Sequence, residues 1–384
     1  MLAALTALAP LAVDAYLPAF PTMAGDFDVP VQQIELTLSV FLIGFALGQL
    51  TGGPFSDHFG RRAAIFAGLS LFMLGTLGIV IGDSIESLWG FRFLQALGGG
   101  ISIVNSSAIV RDIYHGADSA RAMSRISAIM MVAPMLAPFL GSAMLQVGSW
   151  RLIFVLLTLY AVTLLITLKI HLPETRKSIG QQRLSPLKRY QQVLTDRRAL
   201  GYVLSVGLGY AAMFAFITGS SGIYMGHFGA SETLFPLLFG ANVVMIIAFN
   251  KLNARIVHHF SPKRLLAVGQ YLQITIGVVL IVLMNLTEIA LWQMVVGIML
   301  FIGLQGFVVS NGTASTLEYF PQSAATATAL VGATGFTLGG IAGAIIGIFG
   351  DGSPLFLGVT MTSSVLIGIL LRKILHKGQT LQLN

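Results

Sequence analysis

Two charged residues stand inside apolar stretches of this chain and are of the types needed for proton chemistry. Arg92 lies in the stretch 88–114, and Asp14 lies in the first apolar segment. An unpaired charge near a bilayer centre costs about 2.5–3.5 kcal/mol on insertion scales, so such residues are candidates for function. We predict that Asp14 and Arg92 pair, and that a proton taken up by Asp14 leaves Arg92 uncompensated. The alternative is a buried pair with a purely structural role.

The composition indicates a membrane protein rather than a soluble domain. Of 384 residues, 55% are hydrophobic and 10% are charged, with a net charge of +7. The basic residues fall in short segments between apolar runs, which argues against nucleic-acid binding. Cysteine is absent, and the seven histidines show no metal-ligand spacing, so we expect no metal and no cofactor. We expect no enzyme, because clustered acids, histidines or nucleophiles are absent from the spans.

Apolar runs of about 20 residues recur along the whole chain, each enough to cross a hydrocarbon core. Backbone groups in lipid must be bonded within the segment, so the runs are predicted to be helices. Twelve spans are predicted, at about 2–24, 33–56, 62–82, 88–114, 122–146, 152–172, 199–226, 233–257, 264–285, 290–317, 323–349 and 354–376.

The Lys and Arg residues predict the orientation. With both termini in the cytoplasm, every basic residue except Arg92 and Arg151 falls on the cytoplasmic side, as the positive-inside rule requires. The longest connection is strongly basic and divides the chain into an N-terminal six-helix half (1–172), a cytoplasmic linker (173–198) and a C-terminal half with a short tail (199–384). We read the first segment as a retained helix; the bare start at Met1 is also compatible with a truncated N-terminus.

Three short motifs fall in the first half. The connection after the second span reads G-P-F-S-D-H-F-G-R-R over 53–62, in which Gly60 permits a tight turn. The fourth span reads R-F-L-Q-A-L-G-G-G over 92–100, and Arg92 and Gln95 share one helical face. The fifth span reads A-P-M-L-A-P-F-L-G over 133–141, where two prolines four residues apart predict a local bend.

These motifs resemble those of the major facilitator superfamily. The first resembles its loop signature, the second its R-x-x-Q-x-x-G pattern, and the third its antiporter motif. With V-D-A-Y-L-P at 13–18, the chain is most similar to the drug:proton antiporter branch, in particular the bicyclomycin-resistance (Bcr/CflA) exporters; His58 stands where Arg is common. The resemblance implies two six-helix halves of the superfamily fold.

The resemblance also implies roles for individual residues. Proton coupling falls to Asp14 and Arg92, and the antiporter motif to Pro134, Pro138 and Gly141. A latch that holds one conformational end state comprises Gly53, Asp57, Gly60, Arg61, Arg62 and Asp112. No acidic partner is evident at the matching point of the second half, Asn253 to Arg264.

Further residues are candidates for a weakly polar substrate cavity. They are Tyr16, Gln95, Tyr210, Phe214, Asn242 and Asn311. Glycines at four-residue spacing make flat helix faces, which we predict to lie at the interface between the halves. These stripes are Gly44, Gly48 and Gly52 in the second span and Gly335, Gly339, Gly343 and Gly347 in the eleventh.

These observations favour a proton-coupled antiporter that exports small amphipathic drugs by alternating access. The expected substrates are bicyclomycin-, sulfonamide- or phenicol-like. No phosphate-binding loop of the form G-x-x-x-x-G-K-[ST] occurs, so ATP is not the expected energy source. The alternatives are a proton-coupled uptake symporter, a metabolite exporter, and a membrane enzyme or channel. We expect a monomer in the bacterial inner membrane, with the lipid bilayer, drugs and protons as its partners.

Overall fold

The computed structural model describes residues 1–175, 186–320 and 324–377. These residues form helices and connections, and none of them lies in a β-strand. Within these ranges, twelve helical segments are long and apolar enough to cross a membrane. This confirms the predicted all-α membrane fold. Part of the predicted linker, 176–185, the start of the eleventh predicted span at residue 323, and the predicted tail, 378–384, lie outside the described residues.

The helices of the first part of the chain run to residue 171. They are α1 (Leu2–Asp14), α2 (Phe20–Phe27), α3 (Val31–Phe59), α4 (Arg61–Ile81), α5 (Ile85–Ile113), α6 (Gly116–Val147) and α7 (Arg151–His171). The later helices are α8 (Pro186–Thr195), α9 (Arg197–Ser221), α10 (Phe235–Ile256), α11 (Pro262–Leu286), α12 (Leu291–Gly303), α13 (Gln305–Leu317), α14 (Ala324–Phe349) and α15 (Pro354–Lys377).

The chain divides into two compact units. The first comprises Met1–Gln182 and Ala230–Gly240, and the second comprises Arg183–Gly229 and Ala241–Asn384. The start of α10 therefore belongs to the first unit, where the Ser142 hydroxyl donates a hydrogen bond of 2.9 Å to the Glu232 carbonyl.

The first span is not one continuous helix. Helix α1 ends at Asp14, a 3₁₀ turn covers Leu17–Ala19, and α2 follows. Pro18 has no N–H to donate to the carbonyl four residues earlier, that of Asp14, so the α-helical ladder is interrupted there. The tenth span, predicted as one helix over 290–317, is likewise interrupted at Leu304 between α12 and α13.

Glycines let pairs of helices within each unit approach closely. On α3, a Cβ added at Gly44 would lie 2.8 Å from the Phe93 carbonyl oxygen of α5, and one at Gly48 would lie 3.0 Å from the Gly100 Cα. On α14, a Cβ at Gly339 would overlap the Phe214 ring of α9, lying 3.0 Å from its Cγ. The prediction that these stripes lie at the interface between the halves is wrong for these positions. Each packs inside its own unit, because a four-residue glycine spacing specifies a flat face but not its partner.

Replacing Gly339 with Leu is expected to destabilise the second unit. The new side chain would enter the space of Phe214, and overpacking of this kind costs about 1–3 kcal/mol. The measurement is the thermal unfolding midpoint of the purified protein in detergent. Gly90→Leu on α5 is the matched control, because no atom lies within 4 Å of a Cβ built there. Equal midpoints for the two variants would contradict the prediction.

Candidate functional site

Arg92 is completely buried in the first unit, with a relative exposure of 0%. Its Nη1 donates hydrogen bonds to the Ala12 carbonyl at 3.1 Å and to the Gln95 Oε1 at 2.6 Å. Ala12 lies in the last turn of α1, and a cation is favoured at a helix C-terminus because unsatisfied carbonyls concentrate negative potential there. The break in the first span therefore supplies a hydrogen-bond acceptor for Arg92, the Ala12 carbonyl.

Aromatic rings surround the Arg92 guanidinium. Its central carbon lies 4.2 Å from the ring centroid of Tyr16, 4.5 Å from that of Phe41 and 5.8 Å from that of Phe154. The negative face of an aromatic ring attracts a cation, and the attraction is strongest where water is excluded. We call these three rings, Gln95 and the Ala12 carbonyl the Arg92 pocket.

Asp14 is buried beside the pocket but does not pair with Arg92. Its relative exposure is 3%, and its Oδ1 has no hydrogen-bond partner among the described residues. No ion pair within 4.0 Å joins Asp14 to Arg92, so the predicted direct pair is wrong for this structure. The reason is that carbonyl dipoles and ring faces stabilise the guanidinium instead. The Nε and Nη2 of Arg92 also lack partners in the described part of the chain.

Two threonines fix the side chains that contact Arg92. The Tyr16 hydroxyl and the Thr37 Oγ1 are 3.0 Å apart, and the Gln95 Nε2 donates to the Thr76 Oγ1 at 2.9 Å. Both threonines are fully buried. Sequence reasoning found Tyr16 and Gln95 but missed Thr37, Thr76 and the rings of Phe41 and Phe154. Such residues are common in apolar helices, so nothing in their spacing marks them.

Helix α5, which carries Arg92 and Gln95, is held by close backbone contacts with α4 as well as α3. A Cβ added at Gly75 of α4 would lie 2.8 Å from the Gln95 Cα, and one at Gly98 of α5 would lie 2.9 Å from the Leu71 carbonyl carbon. Packing of main chain on main chain leaves little freedom for α5 to shift. The backbone from which the Arg92 side chain extends is therefore held in place by α3 and α4.

The predicted antiporter motif packs on the break in the first span. A Cβ added at Gly141 of α6 would overlap the Ala15 carbonyl oxygen and lie 3.2 Å from the Pro18 ring. Ala15 stands between Asp14 and Tyr16, so α6 directly supports the segment that carries both. Pro138 is buried and Pro134 is partly buried in the same helix, which is unbroken from Gly116 to Val147.

The predicted latch residues Asp57, Arg61 and Asp112 come together at the end of α3. Arg61 Nη1 lies 3.0 Å from the Asp57 Oδ1, and its Nε lies 3.2 Å from the Asp112 Oδ2. The Ser56 hydroxyl accepts a further hydrogen bond from the Arg61 Nη1. Gly60 has φ +102°, a conformation that favours glycine, so it can form the turn between α3 and α4.

Glu174 joins this cluster and was missed by sequence reasoning. Its Oε1 accepts a hydrogen bond of 2.9 Å from the Arg61 backbone N–H, and its Oε2 accepts one of 3.1 Å from that of Arg62. Gly60, at the N-cap of α4, has no side chain to satisfy these groups, so Glu174 caps the helix from a distant part of the chain. The Arg62 Nη2 donates to the Lys169 carbonyl at 2.9 Å. We call Ser56, Asp57, Arg61, Asp112 and Glu174 the loop cluster.

Replacing Asp57 with Asn is expected to slow transport about two- to fivefold without unfolding the protein. The substitution removes one carboxylate from a partly exposed ion pair, and such pairs are worth roughly 0.2–1 kcal/mol. The measurement is the initial transport rate at equal expression. Asp118→Asn is the matched control, because Asp118 forms an exposed pair with Arg121 at 3.1 Å. A parent-like rate for Asp57→Asn would exclude a role in the transport cycle.

The second unit has an ion pair at the start of α11. The Lys263 Nζ lies 2.7 Å from the Glu318 Oε2. The prediction that the basic residues of this region lack an acidic partner is therefore wrong. Glu318 directly follows α13, more than fifty residues from Lys263, so only the packing of α13 against α11 reveals the pair.

The predicted cavity residues of the second unit fall in two different settings. Tyr210 and Phe214 stack at 6.3 Å between ring centroids, and both rings lie against Phe336. Asn311 is buried, and its Nδ2 donates to the Asn253 Oδ1 at 2.6 Å and to the Phe307 carbonyl at 2.8 Å. Asn242 is also buried. Their assignment to a substrate cavity stays a prediction.

The sequence matches the model of the Major Facilitator Superfamily over residues 2–344. The chain belongs to this superfamily. It is 32% identical over 369 residues to a bicyclomycin resistance protein homolog from Haemophilus influenzae, which covers 95% of this chain and 92% of the relative. It is 30% identical over 342 residues to a chloramphenicol resistance protein from Pseudomonas aeruginosa, covering 87% of this chain and 78% of the relative.

A solved structure supports the fold of this superfamily member. The xylose transporter XylE from E. coli matches with a TM-score of 0.73 over 98% of this chain and 96% of that chain, at 16% sequence identity. Together with the twelve apolar helices, superfamily membership makes this chain a multi-pass membrane transporter and not an enzyme. The resemblance predicted from the motifs is confirmed.

Proposed function

We propose that this transporter exports small amphipathic drugs in exchange for protons. The relatives with bicyclomycin and chloramphenicol resistance in their names support drug export as its role. Their bacterial origin supports a location in the bacterial inner membrane. The positive-inside pattern supports two six-helix halves with both termini and the basic linker in the cytoplasm. The protein acts as a monomer in this proposal.

The observation that carries the proton coupling is the buried, unpaired carboxyl of Asp14 beside Arg92. An ionised carboxylate buried without a cationic partner is very costly, so the structure described here suits a protonated Asp14. When the proton leaves, the Nε and Nη2 of Arg92, whose Nη1 already contacts the end of α1 at Ala12, are available to compensate the new charge. Pairing would draw Arg92 away from Ala12 and Gln95, which changes the packing between α1 and α5.

This change links the proton to the conformation of the transporter. Tyr16 and Gln95 contact the Arg92 guanidinium. A movement of Arg92 therefore changes the affinity of the protein for a drug that contacts these two residues. Within the second unit, Tyr210, Phe214, Asn242 and Asn311 are the weakly polar residues that we propose as contacts of the drug. The hydrogen bonds and ion pairs of the loop cluster stabilise one conformational end state, and the other end state forms when these contacts are broken. The ligand shifts the population of the two states by its unequal affinity for them.

The test is transport by the purified full-length protein in proteoliposomes. We expect a bicyclomycin-, sulfonamide- or phenicol-like drug to move in the direction opposite to the flow of protons. We also expect that binding of the drug causes the protein to release protons. An uncoupler is expected to abolish transport. Movement of drug in the same direction as protons would identify a symporter, and transport unaffected by the uncoupler would exclude proton coupling. Protein-free liposomes provide the baseline for both measurements.

A further inference from the structure

Arg372 is a buried cation that the transport cycle proposed above does not use. It lies near the end of α15, its relative exposure is 8%, and its Nη1 has no hydrogen-bond partner in the described chain. None of the ion pairs of the described residues includes Arg372, and the segments outside the description, 176–185, 321–323 and 378–384, contain no Asp or Glu. The protein itself therefore leaves this charge without a carboxylate side-chain partner.

The neighbours of Arg372 make the region positive. Its guanidinium carbon lies 6.0 Å from the ring centroid of Tyr202 on α9. Glu318, which follows α13, is paired with Lys263 of α11 and not with Arg372. Lys373 adds a second positive charge that forms no ion pair among the described residues, and its Nζ lies 5.5 Å from the Tyr271 ring centroid on α11. Two consecutive basic residues of α15 thus lie beside tyrosines of the neighbouring helices α9 and α11.

The surface next to these cations is apolar and exposed. Tyr271 is 48% exposed, and further large apolar side chains continue along α11 and α15. They are Val268, Leu272, Leu370 and Ile374. In a membrane-spanning chain such side chains face the acyl chains of lipids. Arg372 and Lys373 stand within the last two turns of α15, at the level where an apolar helix meets the headgroups.

We propose that Arg372, Lys373 and Tyr271 bind the phosphate of an anionic phospholipid between α11 and α15. The guanidinium offers paired donors that match phosphate oxygens, the ammonium adds a point charge, and the Tyr271 hydroxyl adds a third donor. The acyl chains lie along the exposed apolar faces of the two helices. Basic pockets between helices on the cytoplasmic side of membrane proteins suit such headgroups. A free phosphate ion would leave the apolar surface uncovered, which is why we assign a lipid.

The test measures lipid binding to the full-length purified protein by native mass spectrometry. The probes are phosphatidylglycerol, phosphatidylcholine with matched acyl chains, and sodium phosphate. We expect the parent to prefer phosphatidylglycerol, and Arg372→Gln and Lys373→Gln each to weaken that binding about fivefold. Arg255→Gln, an exposed basic residue of α10, is the matched control and is expected to bind like the parent.

A second readout keeps the proposal testable if Arg372→Gln does not fold. Lys373 is exposed, so Lys373→Gln is expected to keep the lipid-free melting temperature of the parent but to lose part of the stabilisation by phosphatidylglycerol. Equal binding of the two phospholipids would overturn the proposal, as would parent-like affinity of Lys373→Gln. Stabilisation by sodium phosphate equal to that by phosphatidylglycerol would show a site for free anions and would overturn the assignment to a lipid.

Discussion

Replacing Asp14 with Asn is expected to reduce proton-coupled export to the level of protein-free liposomes. Asn has nearly the same shape but stays neutral at every pH, so the Arg92 pocket would remain in the state with Arg92 bound to Ala12 and Gln95. Because that state is already compatible with a neutral Asp14, we expect the melting temperature and drug binding to stay close to those of the parent. The measurement is drug-induced proton release together with transport in proteoliposomes.

Two variants make this result specific to Asp14. Asp351→Asn changes an exposed acid in the connection before α15 and is expected to leave transport unchanged. Asp14→Glu keeps a titratable carboxyl on a longer side chain and is expected to retain part of the transport rate, with a shifted pH optimum. Exchange of drug for protons by Asp14→Asn at the parent rate would assign the coupling to another group.

Replacing Gly141 with Ala is expected to abolish transport and to lower stability. A methyl group at this position would overlap the Ala15 carbonyl oxygen, so either α6 or the break in the first span must move. Overpacking costs about 1–3 kcal/mol, and here the displaced atoms are backbone rather than a flexible side chain. Because Ala15 adjoins both Asp14 and Tyr16, the displacement would disturb the Arg92 pocket directly.

The measurement is the transport rate at equal expression, together with the unfolding midpoint in detergent. Gly90→Ala is the matched control, since Gly90 of α5 has no atom within 4 Å of its built Cβ. Gly141→Val is expected to be more severe than Gly141→Ala, because a larger side chain demands a larger shift. Parent-like transport by Gly141→Ala would mean that the contact with Ala15 does not support the site.

Sequence patterns predicted the parts of the site that lie on one helix. The three-residue spacing of Arg92 and Gln95 placed both side chains on one face, and the structure joins them by a hydrogen bond. The loop motif also brought Asp57 and Arg61 together, and they form an ion pair although the turn at Gly60 places them on different helices. Hydropathy predicted the twelve membrane helices because a hydrocarbon core requires a fixed length of apolar helix.

The parts that sequence reasoning missed depend on contacts between distant segments. The Ala12 carbonyl became a partner of Arg92 only because α1 ends at Asp14, and the composition of the segment does not show which carbonyl is left free. Glu174 reaches Arg61 across 113 positions of sequence, and the partner of Lys263 lies beyond two further helices. Periodicity identifies the face of a helix, whereas the partner of that face depends on the packing of the whole unit.

The way in which Arg92 is stabilised has a consequence for how the proposed transport cycle responds to the membrane potential. Carbonyl dipoles and ring faces hold the guanidinium in place but do not cancel its charge. With Asp14 neutral, the span region around the pocket carries one net positive charge, and with Asp14 ionised it carries none. Moving one elementary charge across a potential of 100 mV changes the energy by about 2.3 kcal/mol. In the proposed cycle, conformational steps taken with Asp14 protonated are therefore expected to be electrogenic, and those taken after deprotonation are expected to be insensitive to voltage.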